Sequence, residues 1–164
     1  MDTDTAILTE LHGLRRRVPE VAGSVLAGVD GLMISRDLAG TGTDADSIAA
    51  LAAASVGLGR RFAVTSGHGE LRETVIAGTH GYVALYAAGS RALLAVLAGP
   101  GADLPLLHTH ARRVAQLVDG ILQTDLVTNV PDPDPSFLDN RAPLAVRTPM
   151  ATLPYNPALP RRRR

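Results

Sequence analysis

Asp30 and Gly31 stand between two mainly apolar runs, Val21–Val29 and Leu32–Ser35, and this junction constrains the fold more than any other stretch of the chain. An Asp-Gly pair so placed predicts a β-hairpin closed by a type I′ turn, because that turn demands positive φ at both central residues. Upstream, residues 3–17 carry Ile7, Leu11 and Leu14 at helical spacing, with Thr9, Glu10, His12, Arg15 and Arg16 on the other positions. This predicts an amphipathic first helix. Pro19 disfavours helical geometry at Val18 and should end it there.

Beyond the hairpin, Gly40, Thr41 and Gly42 break the pattern, and Thr43 or Asp44 is placed to cap a second helix running to about Phe62 or Val64. One of its faces holds Ile48, Leu51, Ser55, Leu58 and Phe62, spaced for burial against a sheet. Another stripe, Asp46, Ala50, Ala53, Gly57 and Arg60, is small in its middle, so that two copies of the helix could approach closely there. The same alanines also raise helix propensity with no interface implied, and periodicity alone does not choose between the two readings.

Three further strands fit Glu70–Gly78, Tyr82–Ala87 and Arg91–Ala98, the first with both faces mixed. Asp103 then caps a third helix with Leu107, Ala111, Val114, Val118 and Ile121 on one face. One domain is expected over residues 3–126. From Pro131 onward the pattern changes, with eight of the 11 prolines and the terminal run Arg161–Arg164. Such a segment has too little apolar surface to offset its ordering entropy, so 127–164 is expected to be a disordered Pro/Arg-rich tail. Its arginines read either as a solubilising terminus or as a means of capturing an acidic surface.

With 164 residues, 46% of them apolar, and no net charge, the chain supports one hydrophobic core. No uninterrupted run of 18 apolar residues occurs, and Met1, Asp2, Thr3 and Asp4 do not resemble the start of a secretory signal. A cytoplasmic location is expected, with recruitment to the membrane through a partner as a further expectation. Cysteine is absent, which removes disulfides, thiolate metal sites and cysteine nucleophiles. All 16 basic residues are Arg. The chain therefore lacks the amine that a Walker A loop, a Schiff base or a Ser-x-x-Lys nucleophile requires.

The histidines do not form a convincing catalytic or metal set. His108 and His110 are two apart and project in different directions from a helix, whereas a helical metal pair needs i and i+4. His68 and His80 fall in turns and His12 on the polar side of the first helix. Glu70 and Glu73 point to opposite faces of a strand and read as exposed charges. Gly99-Pro100-Gly101 before a helix could hold an anion, but Asp103 would occupy that place. Arg60 and Arg61 read either as a partner contact or as the cationic end of the second helix. No catalytic residue, cofactor, metal or nucleic-acid partner is expected.

The order helix, two strands, helix, three strands, helix, with the run Val18-Pro19-Glu20-Val21-Ala22-Gly23-Ser24-Val25-Leu26-Ala27-Gly28-Val29-Asp30-Gly31-Leu32, resembles the roadblock/dynein light chain family, as do Gly81–Tyr86 and Leu93–Leu97. The resemblance implies an α+β fold: a five-stranded antiparallel sheet with the second helix on one face and the first and third on the other. It also implies a homodimer joined through the third strand and second helix into a ten-stranded sheet. Ala50, Ala53, Gly57, Arg72, Thr74 and Ile76 are then the candidate interface, and Arg60 and Arg61 the candidate partner contact. The implied partner is a Ras-like small GTPase whose nucleotide cycle a non-catalytic regulator would modulate. In actinobacteria such proteins resemble components of operons that also encode a sensor kinase, which implies a kinase complex at the membrane as a further partner. The rival reading is a small-molecule-sensing α+β domain, since related folds hold ligands.

Overall fold

A computed structural model describes residues 2–38, 40 and 42–128. The elements follow the order expected from the sequence: α1 (Thr3–Arg17), β1 (Val21–Gly28), β2 (Met33–Leu38), α2 (Ala45–Thr65), β3 (Glu73–Gly78), β4 (Gly81–Ala88), β5 (Ala92–Ala98) and α3 (Leu104–Thr128). All neighbouring strands are antiparallel, in the spatial order β2-β1-β5-β4-β3. The last helix runs two residues past the expected boundary at 126, and the proline- and arginine-rich segment lies outside the described residues.

Strand alternation divides the sheet's side chains between two apolar layers. Leu26, Ala84, Tyr86, Leu94 and Val96 meet Ile7, Leu11 and Leu14 of α1 and Leu107, Ala111, Val114 and Val118 of α3. Val25, Ala27, Leu85, Leu93 and Ala95 meet α2 from the opposite side. The helix arrangement implied by the family resemblance is thus the observed one.

The first hairpin forms where Asp30 and Gly31 place it, but its turn is not type I′. Gly31 has φ of 86°, whereas Asp30 is not at positive φ. Gly31 N–H donates to Gly28 O at 3.0 Å and Gly28 N–H to Leu32 O at 2.8 Å. This closes a three-residue loop in which one left-handed glycine follows the turn. The Asp30 carboxylate accepts from Leu32 N–H at 3.1 Å, which gives the aspartate a role without a strained backbone.

α2 buries a different face from the one its spacing predicts. The residues it buries are Ala45, Ala49, Ala52 and Val56. On the face expected to be buried, Ile48 and Ser55 are half-buried, and Leu51, Leu58 and Phe62 are 67%, 71% and 78% exposed. The sheet beneath already presents Val25, Leu85 and Leu93, so an alanine face lets the helix sit close and fills the remaining space without overpacking. By length and composition α2 could cross a membrane; here it lies on the sheet instead. At its start Asp44 accepts from Asp46 N–H at 3.2 Å and from the Ser47 hydroxyl at 2.5 Å. The hydrogen bond from the Ser47 hydroxyl is the largest of the causes that hold the Asp44 carboxyl below its ordinary range.

Candidate interaction surface

The exposed side of α2 borders the outer edge of β3. Val75 and Ile76 are 39% and 45% exposed, and no further strand pairs with β3 among the described residues. Between helix and strand runs an apolar cleft of about 160 Å³, lined by Ile48, Leu51, Ala52, Ser55, Ile76 and Val83, with Leu85 and Leu97 at its floor. Leu58 and Phe62, at helical spacing from Leu51, extend the apolar surface along the helix. Isolated exposed leucines are ordinary, but a continuous apolar strip beside an unpaired strand edge marks an interaction surface.

The expected interface residues are distributed over this region unevenly. Ala50 and Gly57 are exposed and Ala53 is half-buried. A Cβ on Gly31 would lie 3.2 Å from Ala50 Cα and 3.7 Å from Ala53 Cβ, so this stripe adjoins the β1–β2 turn. Arg72 precedes β3 and is exposed, Ile76 lines the cleft, and Thr74 has a buried hydroxyl with no hydrogen-bond partner. Arg60 and Arg61 do not sit in the last turn of α2, which continues to Thr65 with no basic residue there. The reading of these arginines as a simple helix terminus is therefore removed.

The inner end of β3 is tied to α3 by a polar cluster that the sequence did not disclose. Arg112 donates two hydrogen bonds to Glu73, at 2.8 and 2.7 Å. His108 Nδ1 lies 3.7 Å from the same carboxylate and 2.7 Å from the hydroxyl of Tyr86, which is 1% exposed. The Arg112 hydrogen bonds are the first cause that holds the Glu73 carboxyl below its usual range, against a smaller opposing effect of burial. Burial, reinforced by the Glu73 charge, pushes the Tyr86 hydroxyl well above the usual tyrosine range. Glu73 is thus an ion-pair anchor for α3, whereas Glu70 precedes the strand. The partners lie 39 and 22 residues apart, so no local spacing could have revealed them.

Several of the remaining polar candidates have structural partners. His12 and Arg15 of α1 lie 3.6 and 3.3 Å from Asp37 of β2, and His68 Nδ1 is 2.9 Å from the Ser66 hydroxyl. Gly99 N–H donates to Glu20 O at 2.8 Å, while Asp103 accepts from Leu106 N–H at 3.0 Å. The Glu20 carboxylate also lies against Gly99. Carboxylates thus occupy the surroundings of the loop considered for an anion. No group of three or more His, Asp or Glu side chains suited to a metal occurs among the described residues.

Residues 7–98 match the Roadblock/LC7 domain. An uncharacterized protein of Methanocaldococcus jannaschii is 35% identical over 112 residues, covering 68% of this chain and 93% of that protein. The crystal structure of a Roadblock/LC7 domain from Streptomyces avermitilis is 33% identical, with a TM-score of 0.64, over 70% of this chain and 96% of that one. The gliding protein MglB of Thermus thermophilus shares the fold at 19% identity, with a TM-score of 0.68 over 76% of this chain and 93% of its own. Element order, a sheet covered by one helix on one face and two on the other, and these matches lead to one conclusion: the chain belongs to the Roadblock/LC7 family.

Proposed function

We propose that this protein is a homodimeric, non-catalytic regulator that binds a Ras-like small GTPase and biases its nucleotide cycle in a bacterial signalling system. The observation that carries the dimer is the apolar strip on α2 beside the unpaired edge of β3. Pairing β3 with its copy would satisfy the backbone groups of that edge and cover the strip in one operation. An MglB chain of the same fold, 20% identical, adopts a tetrameric arrangement, which supports self-association without fixing its geometry here. Family membership and the role that the resemblance implies support a GTPase as the partner.

A regulator of this kind need not contribute a catalytic group. It alters the cycle by binding one nucleotide state of the GTPase more tightly than the other, and only that difference in affinity shifts the population of switch conformations. Isothermal titration against a Ras-like GTPase encoded beside its gene, loaded with GDP or with a non-hydrolysable GTP analogue, tests the proposal. The expected result is an affinity difference of about tenfold, equivalent to about 1.4 kcal/mol, with a matching change in hydrolysis or exchange rate. Equal affinity for both states, or no binding, overturns it. A stoichiometric small molecule retained through purification, with no GTPase bound, would favour a ligand sensor.

A further inference from the structure

We infer that the last turns of α2 and the β4–β5 turn hold a binding site for a small zwitterion, an α-amino acid with an apolar side chain. The inference goes beyond the regulator reading and stands whether or not a GTPase binds. Of the arginines among the described residues, only Arg15 and Arg60 are half-buried. Arg15 lies 3.3 Å from Asp37, whereas Arg60 has no ion pair or hydrogen bond among the described residues. Arg60 instead lines a cavity of about 420 Å³ between α2, the loop before β3 and the β4–β5 turn. That volume falls within the range of about 300–1,000 Å³ usual for small-ligand sites. A guanidinium that has lost part of its hydration to a protein wall without gaining a partner is poised to grip a carboxylate with two parallel hydrogen bonds.

The rest of the lining answers the other parts of such a molecule. Glu70 is the one carboxylate in it, and it forms no ion pair with Arg60. Opposite charges thus border one cavity without meeting, and a ligand that carries both bridges them, its carboxylate on Arg60 and its ammonium on Glu70. Val64, which is 68% exposed, joins Leu71 and Ala87 as an apolar wall for an aliphatic side chain. Ser90 adds a hydroxyl at the turn. A ligand with negative charge alone fits less well. It would meet Glu70, and the Asp119 carboxylate lies where a Cβ on Gly89 would stand, so a second acid backs the turn. In the adjoining hollow Arg112 is held by Glu73 and Arg72 is exposed, so neither offers the half-buried, unanswered charge of Arg60. Arg61 is exposed and outside the lining, which divides the pair between two tasks.

Isothermal titration of L-valine, L-leucine and L-methionine into the full chain tests the assignment. At least one is expected to bind saturably, and its counterparts lacking the amine or the carboxylate are expected to bind about tenfold more weakly or worse. Arg60→Gln and Glu70→Gln should each weaken binding by a similar factor, while Arg61→Gln leaves it unchanged. In the unsubstituted chain, binding should shift the NMR amide signals of Leu71, Gly89 and Ser90, which keeps the test valid if a variant folds poorly. Binding of the amine-free acid as tight as that of the amino acid, and insensitive to Glu70→Gln, would overturn the zwitterion and leave a carboxylate site. Binding undiminished in Arg60→Gln, amide shifts confined to other elements, or no saturable binding of any of the three at millimolar concentration would overturn the site. None of these outcomes alters the result of the GTPase titration, so the two readings fail separately.

Discussion

Val56 and Leu58 lie two positions apart on one helix, yet the structure assigns them opposite tasks, and substituting each in turn separates folding from association. Val56 is 3% exposed and packed on the sheet. Val56→Ala removes two methyl-sized groups worth about 1.6 kcal/mol of burial. The cavity adds to this loss and the better helix propensity of alanine returns about 0.5 kcal/mol. The net cost is about 2 kcal/mol, or a fall of roughly 7 °C in melting temperature for a domain of this size. Leu58 is 71% exposed, so Leu58→Ser should leave the isolated protomer's stability within about 0.5 kcal/mol. If the dimer covers that surface, each copy loses about 1.4 kcal/mol of burial, and the two copies together weaken dimerisation roughly 100-fold. Sedimentation equilibrium gives the dimer constant; urea unfolding below that concentration gives protomer stability without linked association. The reasoning fails if Leu58→Ser destabilises the protomer as much as Val56→Ala while sedimentation is unchanged. That outcome would place Leu58, not the alanine face, in the protomer's own core.

Tyr86→Phe should cost about 1 kcal/mol in urea unfolding, because it leaves His108 Nδ1 without its 2.7 Å partner in a part-buried site. Glu73 has a folded pKa below its unfolded value, so its contribution is present at pH above the ordinary glutamate range and is lost as pH falls through the folded value. Glu73→Gln should flatten that acid limb of the stability profile, and an unchanged limb would show that the Arg112 pair is uncoupled from folding. Changing Arg161–Arg164 to Ser is expected to leave the melting temperature and dimerisation unchanged and to weaken binding to anionic vesicles in a salt-sensitive way; vesicle binding unaffected at low salt would leave those arginines a solubilising role.

What the sequence determined by itself was the succession of elements. Helical spacing in 3–17 and 104–121, the Asp-Gly junction, and the glycine-bounded apolar runs after residue 70 each depend on local backbone preferences and on the period of the chain. Those are properties of neighbouring residues, and the structure reproduces them to within a few positions. The family resemblance, read from the same order, supplied the sheet and its helix layers. Tertiary structure decided three other things. α2 is apolar on more than one side, so its sequence offered two burial faces, and only the space left above Val25, Leu85 and Leu93 turned Ala49, Ala52 and Val56 inward and Leu58 and Phe62 outward. The turn at Asp30 and Gly31 was legible as a hairpin, but its backbone depended on the β1–β2 register, which shifts between Leu26 and Ala27. Glu73, Tyr86, His108 and Arg112 became partners only when β3, β4 and α3 were laid side by side, since hydrogen bonds at such separations are set by the fold and leave no local signature in the chain.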